Sequence, residues 1–168
     1  MQDTASAAAP RGWMDQLGDS SLALAMRSEL WLYPLVEVVH IIGFSLLVGA
    51  VVMFDLRLLG LSKDIAVSAL ARHLLTWAVA ALVLIVPAGL MMFSAHPHDF
   101  AGNSVFLLKL CLIAAAGINA LLFHIGAYRS VEQWNTGRTT PSLAKAQALL
   151  SIVLWIAVIF CGRLLAYT

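Results

Sequence analysis

Four uninterrupted apolar runs govern what this chain can become. Each is about 20 residues long, the length at which a helix matches the hydrocarbon core of a bilayer. They cover about 35–54, 74–93, 105–123 and 149–165. The runs are continuous rather than alternating, which excludes the in–out pattern of a transmembrane β-strand. A backbone N–H or C=O left unsatisfied in lipid costs several kcal/mol, so each run is expected to be an α-helix.

Composition supports the same conclusion. The chain is 61% hydrophobic and 11% charged, where a soluble domain carries about 25% charged residues. Its mean hydropathy is +0.90. With 168 residues, four spans leave no length for a separate soluble domain. The expected fold class is therefore all-α: an integral membrane four-helix bundle forming one domain, 1–168, with the lipid bilayer as its main partner. A formal net charge of +1 gives nucleic acid nothing to bind.

The start of the chain, Met1 to Ser20, has no continuous apolar segment, so no cleavable signal peptide is expected and the first span is expected to direct insertion. Its only low-complexity stretch is ASAAAP. After Asp19 and Ser20, both capping residue types, comes SLALAMRSELWLY. This predicts a short interfacial helix at about 20–33, with Trp31 and Tyr33 in the headgroup layer.

The cations predict an orientation. Arg57, Lys63, Arg72, Arg129, Arg138 and Lys145 fall in or beside the connections after the first and third spans, while Arg11, Arg27, Lys109 and Arg163 fall on the other side. The excess marks the cytoplasmic side and leaves both termini outside it, in the periplasm if the membrane is a bacterial inner membrane.

Ionisable residues within spans are costly and are functional suspects. On a depth scale of about 1.5 Å per residue they sort into two layers. The cytoplasmic layer holds Asp55, Arg57, His73 and His124. His73 opens the second span and His124 closes the third. If those spans pack as an antiparallel hairpin, the two imidazoles meet at one depth, as the axial ligands of a b-type haem must. Gly117 and Ala120 near His124 leave room for a flat macrocycle, although small residues more often serve close helix packing. The competing structural expectation is that both histidines simply reach into the headgroups.

The outer layer holds Glu37, His40, Met91, Met92, His96, His98, Cys111 and Cys161. Thiolate and thioether groups suit Cu(I), and imidazole suits several metals, so His40, Met91, Met92, Cys111 and the HPH triplet His96–His98 form a candidate copper set. A haem held by His40 with His96 or His98 is an alternative. Met and Cys also fill space in apolar helices without further role, and the two cysteines make no disulfide framework. Glu37 and His40, spaced i, i+3, share a helix face, so the carboxylate is placed to orient the ring; a Glu37–Arg163 ion pair is the structural alternative. Asp55 with Arg57 is either an ion pair or a partner contact. No nucleophile, phosphate-loop or dinucleotide motif is present.

The run WLYPLVEVVHIIGFSLLVGAVVMFDLRLLG, residues 31–60, resembles the opening of a family of short bacterial four-helix inner-membrane proteins without assigned function, and VFLLKLCLIAAAGINALLFH, residues 105–124, continues the likeness. DLRLLG is its most specific part. A His early in the first span followed by Gly is also similar to the copper-resistance protein D family and to small four-helix haem proteins such as the bacterial membrane protoporphyrinogen oxidase. The resemblance implies a four-helix bundle with His40 and His124 as the residues to test.

Three functions follow as expectations. The first is a membrane haem b protein that moves electrons, ligated by His73 and His124 with His40 as a further candidate, alone, as a homo-oligomer or beside other membrane redox subunits. The second is copper handling. The third is a non-catalytic scaffold whose polar residues serve packing and docking.

Overall fold

The structure, a computed structural model, describes residues 12–167; the ASAAAP stretch and Arg11 lie outside them. Seven α-helices and one 3₁₀ segment follow one another, with no strand among the described residues. The short helices α1 (Trp13–Gly18) and α2 (Ser21–Ser28) precede the first span α3 (Leu32–Leu59). The second span α4 (Val67–Ala95) leads through α5 (Pro97–Gly102) into the third, α6 (Ser104–Ile125). The 3₁₀ segment Ala127–Gln133 then connects to the fourth span, α7 (Ser142–Leu164). Each of the four long helices is long and apolar enough to cross a membrane.

The expected helix at about 20–33 is divided. Pro34 has no N–H, and in a continuous helix its ring would meet the Leu30 carbonyl. The chain accordingly turns extended at Glu29, and Leu32 already opens the first span. Pro34 then sits in the first turn of α3, where a missing N–H is tolerated. Ser20 caps α2, its Oγ accepting from Ala23 N at 3.2 Å.

The spans run past the apolar windows. With 28 residues, α3 is about 42 Å long, beyond the roughly 30 Å hydrocarbon core. Its end is a Schellman turn: Leu61 N–H donates to Leu56 O at 3.1 Å and Gly60 N–H to Arg57 O at 3.2 Å. Gly60 takes a φ of +113° there, a conformation that favours glycine, which explains the last letter of DLRLLG.

In lateral order the spans form a row, α4–α3–α7–α6. The first contact is tight. A Cβ on Gly43 would stand 2.9 Å from Ile85 Cγ1 and 3.1 Å from Leu84 Cβ, so only glycine permits this approach of α3 to α4. Leu47, Ala50, Ala78 and Ala81 extend the same seam. Trp155 of α7 meets Phe44 of α3 edge-on, with ring centroids 5.9 Å apart. The expected hairpin of the second and third spans is loose: α4 and α6 make no close backbone contact, and they meet through side chains such as Phe93 stacked on Phe106 with centroids 5.8 Å apart.

The two ends of the row are closed differently. At the Arg57 end, Phe54, Leu58, Val67, Phe123, Trp134 and Ala148 join in one core cluster that includes the 3₁₀ connection. At the Arg27 end, α2 covers the spans through Met26, packed with Val36, Ala88 and Ala95.

Candidate functional site

A shallow, open cleft of about 420 Å³ lies near the Arg57 end between α4 and α6. From α4 it is lined by Ala71, Arg72, Leu75, Thr76 and Val79, and from the other side by His124 and Tyr128. It exists because α4 and α6 do not pack on each other there. Its walls are apolar, with one guanidinium and one imidazole, the character of a site for a largely apolar ligand fixed by few polar groups.

His124 is held in place. Its Nδ1 lies 2.8 Å from the Ala120 carbonyl. A carbonyl only accepts, so Nδ1 carries the proton and, in the neutral ring, Nε2 keeps the lone pair. Phe123 and Tyr128 flank the ring with centroids 5.5 Å and 5.3 Å away. An imidazole with one nitrogen fixed to a carbonyl and the other open is the arrangement of a metal-ligating histidine. Thr76 on the facing wall donates its hydroxyl to the Arg72 carbonyl.

His73 lies beside Arg72 but is exposed and does not line the cleft. Gly117 also stands apart: a Cβ there would meet nothing within 4 Å. Room for a ligand beside His124 therefore comes from the separation of α4 and α6, not from Gly117.

His40 is half-buried between α3 and α4. Its Nδ1–H donates to the Ile85 carbonyl at 3.0 Å, not to Glu37. Gly89 makes space for the ring; a Cβ there would lie 3.3 Å from His40 Cε1. Met91 and Met92 pack against the Met26–Val36 cluster. His96 is exposed with its ring edge toward Tyr33, centroids 6.2 Å apart. His98 Nε2 pairs with Asp15 Oδ1 at 2.8 Å. Cys111 is exposed on α6, and among the described residues no group of metal-ligating side chains joins it to Met91 and Met92. Among the described residues, no group of three or more His, Cys, Asp or Glu side chains is placed to hold a metal ion.

The expected ion pairs are replaced by other contacts. Arg163 donates to the Tyr167 hydroxyl and lies 4.6 Å from that ring's centroid, and no ion pair joins it to Glu37 among the described residues. Arg57 is only 2% exposed and does not pair with Asp55. Its Nε donates to Ile65 O at 2.7 Å, and its Nη2 to Lys63 O at 3.0 Å and Asn135 O at 3.1 Å. Asn135 in turn caps α4, accepting from Ser68 N at 3.0 Å and donating to Ser68 Oγ at 2.9 Å. Arg27 plays a similar part at the other end, donating to Ala95 O at 2.8 Å and Gly18 O at 2.6 Å. Ala95 and Gly18 end α4 and α1, so Arg27 complements the negative ends of those two helices.

Two amides went unremarked in the sequence, the buried Asn119 and the half-buried Gln147. Asn119 Nδ2 donates to the Gln147 carbonyl at 3.0 Å. The signal that marks Asn119 is a lone amide deep in an apolar run.

The four spans and their capped ends define a multi-pass α-helical membrane protein. The chain belongs to a family of unknown function, DUF6644, which matches residues 32–168. No curated protein and no solved structure matches the chain.

Proposed function

We propose that this protein is a membrane haem b protein that transfers electrons, with haem in the cleft between α4 and α6 and His124 as an axial ligand. The observation that carries this is the fixed His124 ring, whose Nε2 is left open beside a cleft of about 420 Å³. The apolar wall of Ala71, Leu75 and Val79 suits the faces of a porphyrin, and Arg72 suits a propionate. The other imidazole at that end of the bundle is His73, outside the cleft lining, which would have to turn inward to serve as a second ligand. Haem b supplies a one-electron couple when bound; the protein's part is to ligate, orient and exclude water.

The same reading includes a location. Lys63, Arg72, Arg129, Arg138 and Lys145 gather at the Arg57 end, which we place on the cytoplasmic side of a bacterial inner membrane, with the termini in the periplasm. Electrons then pass near that face, to or from other membrane redox subunits.

The test is the visible spectrum of the protein purified from its membrane, oxidised and then reduced by dithionite. A Soret band that shifts on reduction, with sharpened bands at longer wavelength, is expected. Absence of a Soret band, in protein expressed with ample haem supply, overturns the proposal.

A further inference from the structure

A second site lies in the core, away from the His124 cleft. Asp55, in the last turns of α3, is 5% exposed, and its Oδ2 has no hydrogen-bond partner. Ser151 of α7, also buried at 8% exposed, is the side chain whose hydroxyl bears electrostatically on it. One turn earlier on α7 stands Gln147, and its Oε1 is also buried without a partner. Asn119 of α6, 7% exposed, fastens to the same turn through the Gln147 carbonyl. Polar side chains on α3, α6 and α7 thus include two buried acceptor oxygens, Asp55 Oδ2 and Gln147 Oε1, that have no donor.

No countercharge accompanies the carboxyl. Arg57 on the same helix turns its Nε and Nη2 to the carbonyls of Ile65, Lys63 and Asn135, its buried Nη1 has no partner, and it forms no ion pair with Asp55 among the described residues. Arg72 and His73 of α4 are exposed, and His124 of α6 faces the cleft. On α7, Lys145 lies in the first turns of the helix, before Gln147. Helix α2 meets the bundle at the opposite end. An isolated carboxylate in such surroundings is among the costliest groups a membrane protein can hold.

What Asp55 Oδ2 lacks is a donor, and burial keeps water from supplying one. A bound proton removes the charge and turns one oxygen into a donor. We propose that Asp55 is an intramembrane proton-binding site, its carboxyl taking up and releasing a proton in the buried space between α3 and α7. The site gains an O–H bond on uptake and becomes a carboxylate on release, with no other reactant. It does not depend on haem at His124.

Infrared spectroscopy of the full chain in lipid nanodiscs tests this, with Asp55→Asn as the shape-preserving control. The expected result is a protonated-carboxyl C=O band at neutral pH. It shifts in D₂O, titrates away in alkali and is missing from Asp55→Asn, while the amide bands of that variant show an intact helical fold. Three results would each overturn the proposal. One is no such band at neutral pH. Another is a band that neither exchanges nor titrates. The third is a band abolished by sodium chloride but not by choline chloride, which would make the site one for sodium. Should Asp55→Asn not fold, isotope-edited spectra of wild-type protein carrying ¹³C-labelled aspartate decide whether the band belongs to an aspartate.

Discussion

His124 Nδ1 lies 2.8 Å from the Ala120 carbonyl oxygen, one turn back along the same helix. That contact selects the tautomer and leaves Nε2 as the nitrogen available to a ligand. It is local to α6, so it persists whatever α4 does across the cleft. The facing wall comes from α4, through Ala71, Arg72, Leu75, Thr76 and Val79.

Arg57 ties the α3–α4 connection to the segment before α7. Replacing it with Ala removes three charge-assisted, part-buried hydrogen bonds, at about 1–3 kcal/mol each, although Lys63 O and Asn135 O keep their bonds from Gly137 and Val67 N–H. Arg57→Ala is expected to lower the midpoint of thermal unfolding in detergent sharply. Arg57→Lys recovers little, since an ammonium cannot reproduce the guanidinium fork. A melting curve identical to wild type would refute this role.

Gly43→Ala places a methyl group 2.9 Å from Ile85 Cγ1 and should destabilise by about 1–3 kcal/mol. Gly49→Ala, on the same helix with nothing within 4 Å of the new Cβ, should be neutral or slightly stabilising, because Gly in a helix costs roughly 1 kcal/mol relative to Ala. Chemical denaturation of the two variants side by side distinguishes them, and equal effects would contradict the close α3–α4 seam.

Arg27→Ala should release α1 and α2 from the end of α4. Hydrogen exchange over Trp13–Ser28 should then accelerate at least tenfold while the spans keep wild-type protection. The neighbouring His98–Asp15 contact has side chains 61% and 48% exposed, so solvent screens it. His98→Ala should change stability by less than about 1 kcal/mol. Comparable exchange in both variants would mean that Arg27 is not the fastening.

The spans themselves were legible because lipid permits so few backbone forms: four apolar runs had to be four helices. Their ends were not. Val67 begins α4 seven residues before the apolar window because Asn135, far along the chain, caps Ser68, and no local pattern announces a tertiary cap. Helix α7 likewise begins at Ser142, just after Pro141, through polar first turns that a hydropathy window discounts. Depth placed His73 and His124 in one layer, but lateral order depends on contacts such as Gly43 on Ile85, which a single sequence does not reveal. The destination of Arg57 was hidden for the same reason, since its acceptors are backbone carbonyls, which carry no residue signature.

The central claim is that His124 ligates haem, and haem content per protein measures it most directly. Wild type, His124→Ala and His40→Ala are purified identically and assayed by pyridine haemochrome. Wild type should carry haem, and His124→Ala should lose it by roughly tenfold or more, a scale on which even outer groups of a metal site change affinity. His40→Ala, with its ring fixed to Ile85 outside the cleft, should retain it. Haem-free wild type, or His124→Ala with undiminished haem, would contradict the account.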